Sequence, residues 1–216
     1  MSKVFVIGAT GGVARRLCPL LIQSGHQVTG LVRNPEKAAP LADSGTKLVV
    51  GDIVNMTKSD FTEAARGAEV IVFSAGAAGS GVDRTTAIDG DGAINAMSAA
   101  TELGIRRFIL VSAFPEAGRR GERREWFEHY MAEKKRADIA LATSTLDWVI
   151  LRPGTLTDDE GNGLVTLGPA IQSGPVARGN VAKTIKEIIG RPEIKKRILE
   201  LTDGETPIAE ALSTAN

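Results

Sequence analysis

Tyr130 and Lys134 stand four residues apart in a stretch whose composition predicts a helix, so their side chains share one face. A phenol beside an ammonium is a proton-transfer pair, because the cation stabilises phenolate and draws the phenol down from its ordinary value of about 10. Such a tyrosine can donate a proton to a carbonyl oxygen as hydride arrives, or take one from an alcohol. The lysine's ammonium can also donate to the hydroxyls of a bound ligand. Tyr130 is the only tyrosine in the chain. A competing reading is a solvated helix face, since residues 116–138 carry seven basic and six acidic side chains. The second chemical feature lies at the other end of the sequence. Residues 3–17 read KVFVIGATGGVARRL, a short apolar strand running into a glycine turn and then a helix. Glycines let the backbone turn tightly and approach a ligand, while the free amides and dipole of the helix attract a pyrophosphate.

Positioning these groups requires a regular alternation of elements. Strands are predicted at 3–7, 27–32, 47–50, 69–74, 107–112, 147–151 and 197–201. Helices are predicted at 13–24, 35–44, 60–66, 87–103, 123–143 and 181–189. Strands separated by helices imply parallel pairing through right-handed crossovers, hence an α/β fold of the Rossmann type, a doubly wound sheet of six to seven strands. Ligands then bind beyond the carboxyl ends of the strands, after Ile7, Val32, Val50, Ser74, Ser112 and Leu151. Residues 154–180, rich in glycine and proline, are expected to cover the pocket as loops and a small hairpin. Together with residues 197–216 they form a small C-terminal region in a single domain over residues 1–216.

Composition narrows the class. Lys plus Arg and Asp plus Glu are 26 each, so no net field favours nucleic acid or an anionic membrane. The lone Cys18 lies in the first helix and reads as a packing residue of a reducing, cytoplasmic protein. No apolar run is long enough to span a bilayer, and the initial strand leaves no room for a signal peptide. His26 and His129 lack companions, so no metal site is expected. His129 is expected to point off the Tyr130 face, towards solvent. Asp89, Asp91 and Asn95 begin the long helix at 87–103, where acidic residues suit the helix dipole, and they are assigned no chemistry. The expected partner is a small-molecule substrate, and the expected state is a monomer or small homo-oligomer.

The spacing Gly8-x-x-Gly11-x-x-Ala14 keeps a small third residue that lets helix and strand pack closely. An acidic residue at the end of the second strand would bind the adenosine ribose and repel a 2′-phosphate. This chain has Arg33 there, whose planar fork of donors suits phosphate, so NADP(H) is favoured over NAD(H). Asp52, after the third strand, suits either the adenine amino group or a turn cap.

The runs VIGATGG (6–12), LVRNP (31–35), GD (51–52), RRFILVS (106–112), Tyr130-x-x-x-Lys134 and LDWVILRPG (146–154) occur in order, with DGETPI at 203–208. In this combination the chain resembles the atypical short-chain dehydrogenases/reductases of the NAD(P)H-binding, NmrA-like and flavin-reductase-like group, over almost its whole length. The resemblance implies that Gly8, Thr10, Gly11, Gly12 and Val13 line the pyrophosphate, with Arg33 at the 2′-phosphate. It puts Asp52 and Ile53 beside adenine, Ala75 and Gly76 along the ribose, and Pro153 near the nicotinamide. It also implies Ser112 touching the cofactor beside the Tyr130/Lys134 pair.

Two positions depart from the group's pattern. Its full catalytic apparatus has a Ser or Thr shortly after Ser112, where this chain has Ala113 and Phe114, and Phe114 is expected to give the pocket an apolar wall suited to a flat substrate. Trp126 and Phe127, just before the Tyr130/Lys134 pair, either edge the pocket or pack their helix against the sheet. Asn180 replaces a usual Asp and is expected to cap the helix that follows. The implied activity is an NAD(P)H-dependent oxidoreductase passing hydride to a small carbonyl, quinone or flavin-like acceptor. The alternatives are a non-catalytic NADP-binding redox sensor and, with less room for its substrate, an epimerase or isomerase.

Overall fold

The computed structural model describes residues 1–115 and 124–214. Arg123, the predicted start of the helix bearing Tyr130, and most of the charged run before it lie outside those residues. Strand β1 (Lys3–Ile7) sits inside the sheet, with parallel neighbours β2 (Gln27–Val32) and β4 (Val70–Phe73), and β3 (Lys47–Val50) lies outside β2 at the edge. Beyond β4 come β5 (Arg107–Val111), β6 (Asp147–Pro153) and β10 (Arg197–Asp203), all parallel. The nine-stranded sheet ends with β8 (Leu164–Gly168) and β11 (Thr206–Pro207), giving the order β11-β8-β10-β6-β5-β4-β1-β2-β3.

Side chains on the central strands alternate between two cores, as the twofold period of a strand demands. Val4 and Val6 pack with α1 (Ala14–Gln23), α2 (Ala39–Asp43), α7 (Arg178–Ile189) and α8 (Ile208–Thr214). Phe5 and Ile7 pack on the other face with α3 (Lys58–Ala64), α5 (Ala93–Glu102) and α6 (Glu125–Ala142). Cys18 is fully buried in the first core, and burial pushes its thiol up to about 12, which leaves it a packing residue. Strand order reverses between β1 and β4, so their carboxyl ends flank a crevice.

Four expectations need correction. The sheet has nine strands, because part of the covering region joins it: β8 pairs antiparallel with β10, and β11 with β8. In place of a hairpin, β7 (Thr155–Thr157) and β9 (Pro175–Ala177) pair in parallel. Sequence spacing showed strand-like segments poorly here because each is only two to five residues long. The predicted helix over 87–103 begins earlier, as α4 (Val82–Thr85), and passes through a π-helical turn over Thr86–Gly92 before α5. Such wide turns displace side chains from the regular helical face and recur at functional sites. Asn180 does not cap α7, which starts two residues earlier. It is buried and clamps the covering loops, accepting from Gly163 N at 2.8 Å and donating to Asp203 Oδ1 at 2.7 Å.

Helix α7 is fixed at its far end by Arg107, a buried cation in β5 that donates to the carbonyls of Ile194 at 2.6 Å and Ile188 at 2.8 Å. The Ile188 carbonyl also accepts from Arg191 N at 3.2 Å, and the bonds from the charged donor are the stronger kind. Arg107→Met keeps the stem but removes both charge-assisted bonds, and should cost about 2 kcal/mol of stability, read as a lowered unfolding midpoint.

Candidate active site

The crevice at the strand reversal opens into two adjoining cavities of about 580 and 460 Å³ that share Gly11, Ser74, Ala75, Gly76 and Ala78. The larger is lined by Gly8, Thr10, Arg33, Asp52 and Ile53 together with Ala75 and Gly76. The smaller holds Gly12, Val13, Ser112, Tyr130 and Lys134. The fold therefore gathers the predicted residues into one cleft, with one exception. Pro153, expected near the nicotinamide, is buried in β6, which runs two residues beyond its predicted end, and it lines neither cavity.

The glycine turn is built for close approach. Gly8 has φ +81°, and a Cβ there would stand 2.8 Å from Ala75 Cα. No protein acceptor meets the amides of Gly12 and Val13 among the described residues, and the first turn of α1 holds no acidic side chain. Unpaired amides at a ten-residue helix, with no carboxylate to fill the place, suit a pyrophosphate. Asp52 makes the turn contact, accepting from Val54 N at 3.3 Å, and also lines the larger cavity. Arg33 is exposed at its rim, and Arg84 on α4, a residue the sequence did not single out, joins it on the same lining.

Lys134 is almost fully buried, and its Nζ lies 5.8 Å from the Tyr130 ring centroid, 3.2 Å from Val111 O and 3.0 Å from Asp89 Oδ1. Asp89 is also buried and accepts from Ala77 N at 2.9 Å through its other oxygen. Burial pulls the Lys134 ammonium down, but Asp89, Tyr130 and Asp138 outweigh it and the net direction is up. The expected lowering of the Tyr130 phenol is overturned. Burial raises it, Lys134 opposes that, and Asp89 and Asp138 raise it further, so the phenol stays protonated well above neutrality. Asp89 was passed over in the sequence as a helix-start carboxylate, and the signal that could have found it is the run Asp89-Gly90-Asp91-Gly92. Side chains at the two glycines would strike Glu133 and Arg136 of α6 and Ile53, so the bare backbone lets the π-helical turn press against α6 and aim Asp89 inward.

Ser112 is buried and lines the smaller cavity. Its hydroxyl faces Asp138, whose Oδ2 accepts from Arg152 Nη2 at 2.8 Å and Nε at 3.0 Å. Phe114 does not form the expected apolar wall, because it is buried away from both cavities. Trp126, Phe127 and Leu156 form it instead. Trp126 is half exposed, and the Phe127 ring lies 6.1 Å from that of Tyr130. His129 is only half-buried, on the flank of α6, and its Nε2 meets Thr86 Oγ1 at 2.8 Å.

A glycine-turned pyrophosphate cradle at the strand reversal, continuous with a cavity holding a protonated phenol, defines a dinucleotide-binding α/β protein. The model of the NAD(P)H-binding family matches residues 8–192, and the chain belongs to that family. It is 38% identical over 212 residues to Bacillus subtilis YhfK, named an uncharacterized sugar epimerase, covering 97% of this chain and 98% of that one. The crystal structure of the oxidoreductase ylbE from Lactococcus lactis superposes with a TM-score of 0.86 at 28% identity, covering 98% and 95% of the two chains. ChuY, an anaerobilin reductase from Escherichia coli O157:H7, gives a TM-score of 0.79 at 28% identity, covering 94% and 97%. Among the described residues, no helix is long and apolar enough to cross a membrane.

Two substitutions test this arrangement. Gly8→Ala forces a side chain into a left-handed conformation against Ala75, and should cost about 2 kcal/mol of stability and weaken dinucleotide binding. Asp89→Asn leaves the buried Lys134 without its counter-charge. It should lower stability by about 3 kcal/mol in denaturant unfolding. It should also move the Tyr130 absorbance titration to lower pH, because a charge that opposes phenolate is gone.

Proposed function

We propose that this protein is an NADPH-preferring reductase that delivers hydride to a flat, conjugated carbonyl, quinone or flavin-like acceptor. The observation that carries this reading is the placement of Tyr130 in an aromatic-walled cavity that continues the dinucleotide cleft. When bound, the dinucleotide supplies the hydride. Lys134 and Ser112 orient the ribose end of the cofactor, and Trp126, Phe127 and Leu156 hold the acceptor ring and exclude water. The acceptor carbon gains the hydride with its electron pair, its C=O π bond breaks, and the phenol proton goes to the oxygen. Tyr130 then recovers its proton from solvent. A phenol held protonated favours reduction over alcohol oxidation, which would start from phenolate. NADPH preference rests on Arg33 and Arg84 facing the adenosine end, with no carboxylate at the end of β2 to repel a 2′-phosphate.

A second reading, a non-catalytic redox sensor, is favoured by Ala113 and Phe114, which leave the group's second substrate hydroxyl missing. An epimerase is favoured by likeness to proteins described as epimerases, YhfK and a putative NAD-dependent epimerase/dehydratase from Bacillus halodurans, and by no residue of the site. Steady NADPH oxidation with quinone or flavin acceptors separates these readings. Binding of both redox forms without turnover across a broad acceptor panel would make the protein a sensor.

For a carbonyl acceptor, Tyr130→Phe should lower kcat roughly 100-fold with the NADPH KM little changed. The wild-type reduction rate should hold through neutral pH and fall only above the ordinary range of a phenol. An acceptor that takes hydride at a flavin-like nitrogen would survive the substitution, which identifies the acceptor type. Arg33→Gln should weaken NADPH about tenfold and leave NADH unchanged, as measured by nicotinamide fluorescence titration.

A further inference from the structure

Arg178 is the one cation besides Lys134 that lines the smaller cavity among the described residues. It opens α7, where the positive end of the helix dipole disfavours a guanidinium, and the first turn offers no acidic residue to offset it. Helix stability does not account for a cation in that place. Its stem crosses the glycine turn: a Cβ on Gly12 would stand 2.5 Å from Arg178 Cδ and 2.7 Å from Nε. The Arg178 side chain therefore lies against the glycine turn, and it lines the same cavity as Gly12 and Val13, whose amides are unpaired among the described residues.

Its charge is poorly matched within the protein. Arg178 Nη1 is 3.7 Å from Asp158 Oδ1, while Arg15 and Arg16 each reach the same oxygen at 3.1 Å. Glu160, the other carboxylate of the group, pairs with Arg16 at 2.8 Å. Three guanidinium groups thus share two carboxylates, and Arg178 holds the weakest share. Among the described residues it donates no hydrogen bond. Asp158 lies in the loop after β7 and is itself mostly exposed.

We infer that Arg178 is the side-chain cation for the dinucleotide pyrophosphate, and that Asp158 competes with the pyrophosphate for the same guanidinium group. The inference rests on the nicotinamide-cofactor reading of the cleft and adds a recognition element that is blind to the 2′-phosphate. Arg33 reads which dinucleotide is present; Arg178 binds what NADH and NADPH share. Asp158 sets how much of that binding is spent on exchanging one anion for another.

Dissociation constants for NADPH and NADH, measured by calorimetry on the full chain without any acceptor, test this independently of turnover. Arg178→Met keeps the stem over Gly12 and removes the charge, and should weaken both dinucleotides equally, by roughly 10- to 100-fold. Asp158→Asn should tighten both by about threefold. That gain should vanish in the Arg178→Met background, since a general rise in positive potential would persist there. Unfolding midpoints near wild type accompany a valid comparison. If Arg178→Met lowers the midpoint, the Asp158→Asn arm and its salt dependence decide the matter. Unchanged affinities in Arg178→Met would overturn the inference, as would a loss confined to NADPH, or a raised acceptor KM with unchanged dinucleotide binding, which would make Arg178 a substrate residue. An Asp158→Asn variant that binds more weakly overturns the competition. Failure of the wild-type protein to bind either dinucleotide would instead remove the cofactor reading itself.

Discussion

The buried ion pair between Lys134 and Asp89 is the constraint on which the chemical end depends. Two charges are taken out of water at 3.0 Å, a loss that their attraction offsets only with further hydrogen bonds in place. Those bonds are present: the lysine donates to Val111 O, and the aspartate accepts from Ala77 N. One pair therefore ties four elements together, namely α6, the π-helical turn, the end of β5 and the segment after β4 on which a dinucleotide would lie. Any shift of that segment is transmitted to the helix carrying Tyr130. The pair also explains the phenol. An ammonium already matched by a carboxylate has little left with which to stabilise phenolate, so burial decides the direction.

This geometry depends on backbone close to α6, and the π-helical turn supplies it. A regular helix through 86–92 would place Asp89 differently against α6, and any side chain at Gly90 would meet Glu133 and Arg136. Arg136 in turn reaches Asp91 at 2.7 Å, so two ion pairs, one buried and one at the surface, bind the wide turn to the same helix. The surface pair contributes little energy on its own. Its effect is to hold the register that the buried pair requires.

Much of this was legible in the sequence, for physical reasons that differ from element to element. The six leading parallel strands are buried on both faces or end at glycine turns, which makes apolar runs such as Val70–Phe73 and Arg107–Val111 visible without a structure. The cradle was legible because Gly8 and Gly11 answer to a local steric demand. Residues 154–180 were not, because β8 is held by pairing with β10, a partner more than thirty residues away, and by Asn180, whose amide serves two loops at once. Asp89 was missed for a similar reason. An acidic residue at the start of a helix reads as a favourable dipole partner, and only the tertiary approach of α6 turns it into the counter-charge of Lys134. The wall of the cavity was read from Phe114, two residues after Ser112, and Trp126 and Phe127 were open between edging the pocket and packing the helix. The folded chain buries Phe114 and brings Trp126 and Phe127 to the cavity from α6.

The two halves of the cleft ask for opposite environments, and α7 belongs to both. Under the proposed reading, the larger cavity takes the adenosine and pyrophosphate and needs cations and free amides in reach of water, where charge steers ligand entry. The smaller cavity would take the nicotinamide and needs an apolar, water-poor wall, where one proton donor acts with little competition. Arg178 stands where these meet, with its stem against Gly12 and its head towards Asp158, so the apolar cavity gains a rim without gaining a buried charge. That placement holds only if α7 cannot slide. Arg107 secures its far end, and near its start Asp203 accepts from Ala177 N at 3.0 Å and from the Asn180 amide. A helix restrained at both ends can carry an energetically disfavoured cation on its first turn, which is the condition for using that cation on a ligand.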